Sequence, residues 1–395
     1  MTRGRATRRR AAAAWILAAL AAMLAVPPAA ACPFCGVVGQ SLAQRRDEAA
    51  VVAVGEAAGK AADAEGFPAQ RFRIDQLLRG GAGPIAAGDT VTARVNAPVT
   101  GTAVLFAAAP PAAGAAAASL RWSAVAADEA LLGYVVAAPN VTLPATERLR
   151  WFAARLEHPD DVIAADAFTE FGLASFENVR TAAAAVDPQA LREWLADPGI
   201  DQRRRGLYGL LLGAVADTTN DPAIGRECRA ALRRAAEATG DDFRAGFDGV
   251  LAGLLVAEGE RGLEYLRGRG LFGPGARPLD QRHLLAALRF AAESLAGSIP
   301  RSQVADATRL LLVQPGVAAD AAIDLARYQA WEAVDDVARL WDACGRDDPL
   351  VRRAVAGYLA ACPLPAAKRY LDAIEMREPA LLRRALDAAA LPAGR

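Results

Sequence analysis

The stretch 147–216 limits what this chain can fold into more than any other. It opens ERLRWFAARLEHPDDVIAADAFTEFG, continues through LREWLADP and closes on GLYGLLLGAVA. Asp160 and Asp161 place negative charge where a helix begins, beside free N–H groups and the positive end of the dipole. Ile163, Ala167 and Phe171 follow at intervals of four, with Ala164 and Phe168 beside them, as one apolar stripe. The segment DDPLVRRAVAGYLAAC repeats the design at 347–362: two acids, then Leu350, Val351, Ala354, Val355, Tyr358, Leu359 and Cys362 on one face. A short helix pair cannot bury its own apolar face, so several must stack.

An acidic turn, a helix opening with Val, Arg and Ala, and a Leu-rich stripe resemble HEAT-like repeats over about residues 145–391. The resemblance implies an all-α solenoid. Periodicity predicts helices at 146–157, 160–172, 175–186, 188–197, 201–216, 221–238, 241–258, 260–269, 279–297, 300–313, 316–333, 335–344, 348–361 and 365–390, the last broken at Pro379. Helix 201–216 is apolar on most faces and is expected to line a doubly covered layer. The run GRGLFGPGARP at 268–278 interrupts the array as a loop.

The N-terminal part reads differently. Residues 1–31 look like an export signal: a basic segment ending at Arg10, an apolar run of 16 residues at 11–26, Pro27-Pro28, and Ala29-Ala30-Ala31 as a small-residue cleavage site. The run is shorter than the roughly 20 residues of a spanning helix. Cleavage between Ala31 and Cys32 would make CPFCG the mature N-terminus; an uncleaved anchor and lipidation of Cys32 are the alternatives. From 49 to 138 the period becomes strand-like, with candidate strands at 50–57, 69–78, 90–95, 102–108, 119–125 and 131–137 separated by Gly and Pro turns, and a low-complexity loop at 110–118. The succession VVAVGEA, FRIDQLLRG, GDTVTARV, GTAVLF resembles OB-like barrels of the netrin type. Such barrels often bind oligonucleotides or sugars. Here Arg71, Arg73 and Arg94 are expected on solvated faces and Trp122 in the core, so no stacking platform is present. The domain plan is therefore a signal at 1–31, a small all-β barrel-like domain at 32–140 and an all-α HEAT-like solenoid at 145–391.

The five arginines of residues 1–31 have no acidic counterpart there, which leaves the remainder with 40 basic and 45 acidic residues. A mildly acidic body with no basic block argues against nucleic acid as partner. Of the two histidines, His158 is expected to contact backbone in its turn and His283 to sit on a helix surface or rim. No spacing among them or the cysteines matches a metal site or a triad, so no cofactor or metal is expected. The pairs Asp160/Asp161, Asp241/Asp242, Asp335/Asp336 and Asp347/Asp348 read as helix caps and dipole partners. Gly268, Gly270 and Gly273 fit GxGxxG literally, but follow a helix where a dinucleotide site needs a strand. Cys228, Cys344 and Cys362 fall on apolar stripes as small buried hydrophobes. A Cys344–Cys362 bond is not expected, since the two bracket one helix about 20 Å long against a Cα limit of about 7 Å.

Cys32-Pro33-Phe34-Cys35 is the one sharp motif. In an oxidising compartment the pair suits a small-loop disulfide. A zinc knuckle would need a second CxxC, and a thioredoxin-type thiol would need a strand before the motif. The whole layout resembles exported bacterial proteins with a CPFC start, a small β domain and HEAT-like helices. The likeness rests on Cys32 to Cys35, RLRWFAARLEHPD, RGLYGLLLG and Cys362-Pro363. It implies architecture and no activity. The expected function is a non-enzymatic, periplasmic or extracellular scaffold that binds protein partners through its helical surface. The alternative is an envelope thiol–disulfide or lipid-anchored factor acting through Cys32 and Cys35, on the membrane only if Cys32 is lipidated or the signal stays uncleaved.

Overall fold

A computed structural model describes residues 39–62, 66–80, 85–108, 120–240 and 243–390. The expected export segment, the CPFC motif, the 110–118 loop and the Asp241/Asp242 pair lie outside the described residues.

The first described element is a helix that sequence reasoning missed, α1 (Leu42–Glu48). Ser41 and Gln44 close a reciprocal capping box at its start, which satisfies two otherwise free N–H groups. Five strands follow: β1 (Val51–Ala62), β2 (Pro68–Arg79), β3 (Thr90–Arg94), β4 (Thr102–Ala108) and β5 (Arg121–Ala126). They close a barrel in the order β1-β2-β3-β5-β4, in which every pairing is antiparallel except β3 with β5. Phe72, Ile74, Leu105 and Trp122 fill its interior. Arg71 and Arg73 are exposed as expected, and the Arg94 guanidinium covers the Phe67 ring at 4.3 Å. β4 is buried on both faces: Ala103, Leu105 and Ala107 point into the barrel, while Val104 and Phe106 join a second, larger core.

The candidate strand at 131–137 is instead part of a helix, α2 (Glu129–Ala137). LLGYVVA is rich in β-prone residues, but Asp128 accepts the Leu131 N–H at 2.8 Å and caps a helical turn. Leu131, Tyr134 and Val135 then bury one helical face.

Fifteen further α-helices follow among the described residues: α3 (Ala145–Ala153), α4 (Asp161–Leu173), α5 (Phe176–Ala182), α6 (Pro188–Ala196), α7 (Gln202–Thr218), α8 (Pro222–Glu237), α9 (Phe247–Glu258), α10 (Glu260–Gly268), α11 (Pro278–Ser294), α12 (Arg301–Arg309), α13 (Ala318–Tyr328), α14 (Val334–Ala343), α15 (Pro349–Ala361), α16 (Pro365–Arg377) and α17 (Pro379–Ala390). Asp187, Asp221 and Asp348 cap helices whose first residue is proline, a position where the missing N–H costs nothing. Alternate helices touch one another: α3 meets α5, α5 meets α7, and contacts continue through α9, α11, α13 and α15 to α17. The intervening α6 and α8 pack against each other and cover this row, as α14 and α16 do further on.

The expectation for 201–216 is met, since α7 is buried from Gly206 through Ala216. Its closest partner is α9, and glycine sets the distance. A Cβ on Gly213 would lie 2.2 Å from the Gly253 carbonyl oxygen, and one on Gly253 only 2.0 Å from that of Gly209. The larger core is continuous from Val52, Val104 and Phe106 of the barrel, through Leu42 of α1 and Tyr134 of α2, to Leu382 of α17.

Candidate functional site

The residues singled out in the sequence do not converge. Ala31, Cys32 and Cys35 lie outside the described residues. His158 accepts the Asp160 N–H on its Nδ1 at 3.0 Å, a turn contact as expected. His283 is not at a rim: it is buried on α11, with the Phe243 and Phe247 rings edge-on to it. Its Nε2 meets the Phe243 carbonyl at 3.0 Å, and Asp248 stands 3.8 Å from Nδ1. Burial alone would lower its pKa; the Asp248 and Phe243 contacts more than offset this and hold it above the ordinary value. The aromatic pocket formed by the turn before α9 has no pattern visible along the chain.

Asp160 and Asp348 cap their helices as expected, and Asp335 and Asp336 lie in the first turn of α14 as dipole partners, where Asp336 also pairs with Arg309 and Arg339. Cys228, Cys344 and Cys362 are free thiols, and burial raises the pKa of Cys228 and Cys344, which makes them poor nucleophiles. Gly268 ends α10 and Gly270 and Gly273 form the turn that follows it, with no strand ahead of them. Among the described residues no cluster of three or more His, Cys, Asp or Glu could hold a metal ion.

Two arrangements that sequence reasoning missed stand out. The first is a buried clamp at the junction of barrel and helices. Asp166 and Glu170 sit one turn apart on α4 and face inward. Asp166 accepts the Leu42 N–H at 2.7 Å and the Tyr134 hydroxyl at 2.7 Å. Glu170 accepts the Ser41 hydroxyl and pairs with Arg148. Burial, aided by the Glu170 charge, pushes the Asp166 pKa up to about 6 against the opposing pull of those two hydrogen bonds and Arg45. Arg46 adds bonds to the Val135 and Ala138 carbonyls at 2.8 and 2.6 Å. These contacts order α1.

The second is a groove of about 680 Å³ between α6, α8 and the starts of α7 and α9. Arg192, Arg205, Arg234 and Arg244 line it together with Leu195 and Phe247, and none of its lining residues among the described ones is acidic. Arg192 shares Glu227 at 3.0 Å. Among the described residues Arg205 reaches the Asp197 carbonyl at 3.4 Å, and its buried Nε has no hydrogen-bond partner there. Arg234 is exposed and forms no ion pair among the described residues. Arg244 adopts a left-handed φ of 51°, rare for a residue with a side chain, and lies over Phe247 at 3.4 Å while contacting Asp280 at 3.3 Å. It divides this groove from a neighbour of about 820 Å³, where Arg269 and Arg277 are neutralised by Glu237 and Asp280 at 2.5 and 2.9 Å. Among the described residues, Arg205 and Arg234 of the first groove have no acidic partner. Guanidinium forks of this kind hold carboxylates or phosphates.

No family model, curated protein or solved structure matches this chain. The groove is therefore read from its own residues. Its arginines come from three helices and a turn, so no local motif announces them; the available signal was an arginine-rich stretch around stacked helices with few lysines.

Proposed function

We propose that this protein is a non-enzymatic, exported scaffold that binds protein partners along its helical array. The alternation of contacting and covering helices supports a HEAT-like solenoid, an architecture whose stacked units present long surfaces to partners. The strand order with a single parallel pairing, β3 with β5, supports an OB-like module in front of it. The observation that carries the reading is the open, arginine-lined groove between stacked helices. Export rests on residues 1–31 and the CPFC start. No helix among the described residues is long and apolar enough to cross a membrane.

In-cell crosslinking in the native host, followed by capture of the tagged chain, tests this. The expected outcome is a small reproducible set of envelope proteins whose crosslinks map to α6–α9. Recovery of only those proteins that an unrelated exported control also captures would remove the scaffold.

A further inference from the structure

We infer that this chain pairs with a second copy of itself through the face formed by α12, the turn at 310–313 that follows it, and α14. An open groove of about 630 Å³ lies between these segments. Of its apolar lining, Leu312 and Leu340 are already buried, whereas Leu310 and Val313 remain 47% and 75% exposed. A dimer through this face goes beyond the scaffold reading and does not depend on it.

Three features favour a second copy as the occupant. The first is shape. Asp306, Leu310 and Val313 follow one another at intervals of four and three and all line the groove, so they form one ridge beside a hollow whose other wall is α14. A face that carries both a ridge and a hollow can fit itself. A two-fold axis between them seats each copy's ridge in the other's hollow and makes every contact twice. The second feature is charge. Asp306 is exposed and has no cationic partner among the described residues. Asp336 instead serves two guanidiniums, Arg309 and Arg339, and the Arg339 side chain is 72% exposed. The two-fold sets Asp306 of one copy toward Arg339 of the other, so the acid without a cation meets a guanidinium that shares its acid. The third feature is balance. The described lining holds two acids and two arginines, so two copies approach without net like-charge repulsion, and a strongly charged partner gains no attraction. Burial of Leu310 and Val313 on both sides supplies the apolar driving force. A lipid or other amphiphile would cover the same apolar residues but leave Asp306 unmatched beside it.

Sedimentation velocity of the full chain, purified from its native host and run over a concentration series, reads the monomer–dimer equilibrium. The wild type is expected to dimerise. Val313→Asp, at an exposed position where folding is not at stake, is expected to raise the dissociation constant by about tenfold or more. Asp306→Arg and Arg339→Asp are each expected to weaken the dimer about tenfold, because like charges then face each other at both symmetry-related contacts. An equimolar mixture of these two variants is expected to regain wild-type affinity, since both contacts of the mixed pair again match an acid with a base. Val136→Asp, 60% exposed on α2, is expected to leave the equilibrium unchanged. A wild type that stays monomeric up to about 100 μM, a dimer indifferent to Val313→Asp, or a mixture no tighter than either variant alone would each overturn the assignment. So would in-cell crosslinks from the 310–313 turn that reach another protein in place of a second copy. Crosslinked envelope partners along α6–α9 with a monomeric chain would refute the dimer and leave the scaffold standing.

Discussion

Asp166 is the residue with the most unusual surroundings. Its side chain is buried, accepts two hydrogen bonds, and has a pKa raised to about 6, above the ordinary value near 4. Between about pH 4 and pH 6 the folded chain holds a proton there that the unfolded chain has lost, so stability falls as pH rises through that window and levels off above it. Ionising the group in the fold costs on the order of 2–3 kcal/mol. Asp166→Asn keeps an acceptor for Leu42 and removes the charge. In urea unfolding, the stability of this variant relative to wild type is expected to rise by that amount from about pH 4 to about pH 7. Parallel pH profiles would show that the carboxyl titrates normally. Along the chain Asp166 and Glu170 look like the polar side of an amphipathic helix, because they fall between the stripe residues Ile163, Ala167 and Phe171. Only the arrival of α1 and Tyr134 turns that side inward, and neither is adjacent in sequence.

At the scale of elements, the contact between α7 and α9 depends on having no side chain where the backbones cross. Gly253→Ala would place a methyl group 2.0 Å from the Gly209 carbonyl oxygen, so the helices must separate. Overpacking of this kind costs about 1–3 kcal/mol. Gly133 offers the contrast: it lies exposed in α2 with nothing within 4 Å of an added Cβ. There alanine is expected to gain about 0.5–1 kcal/mol through helix propensity. Thermal midpoints should therefore move in opposite directions, and a neutral Gly253→Ala would mean the helices are not held at this distance. GLYGLLLG announced a buried helix through its apolar residues, while the role of its glycines depended on Gly249 and Gly253 of another helix. Most helices were legible because stripe spacing and Asp-Pro starts are local signals. LLGYVVA at 131–137 was not, since a short buried apolar run has no clear period and the Asp128 cap outweighed its β propensity. The groove was the least legible part, since Arg192, Arg205, Arg234 and Arg244 meet only once four segments have stacked.

The molecule as a whole is joined through α1. This helix touches β4 and α2, and α2 in turn touches α4. Val104 and Phe106 leave the barrel's own interior to enter the core shared with the helices, so among the described residues α1, α2 and what they pack on cover this part of the barrel's outer face. Sequence division into a β part and a helical part captured the change of period, but period is silent on whether two parts share a core. Leu42 sits at the centre of this seam, 5% exposed. Leu42→Ala should cost about 2–5 kcal/mol, as large-to-small core changes do. If the seam makes one cooperative unit, hydrogen exchange will lose protection together in β4 and α4, although α4 belongs to the helical array. Loss confined to the strands would instead make the barrel a separable unit hung on the array. In that case the clamp of Ser41, Asp166 and Glu170 would hold α1 alone.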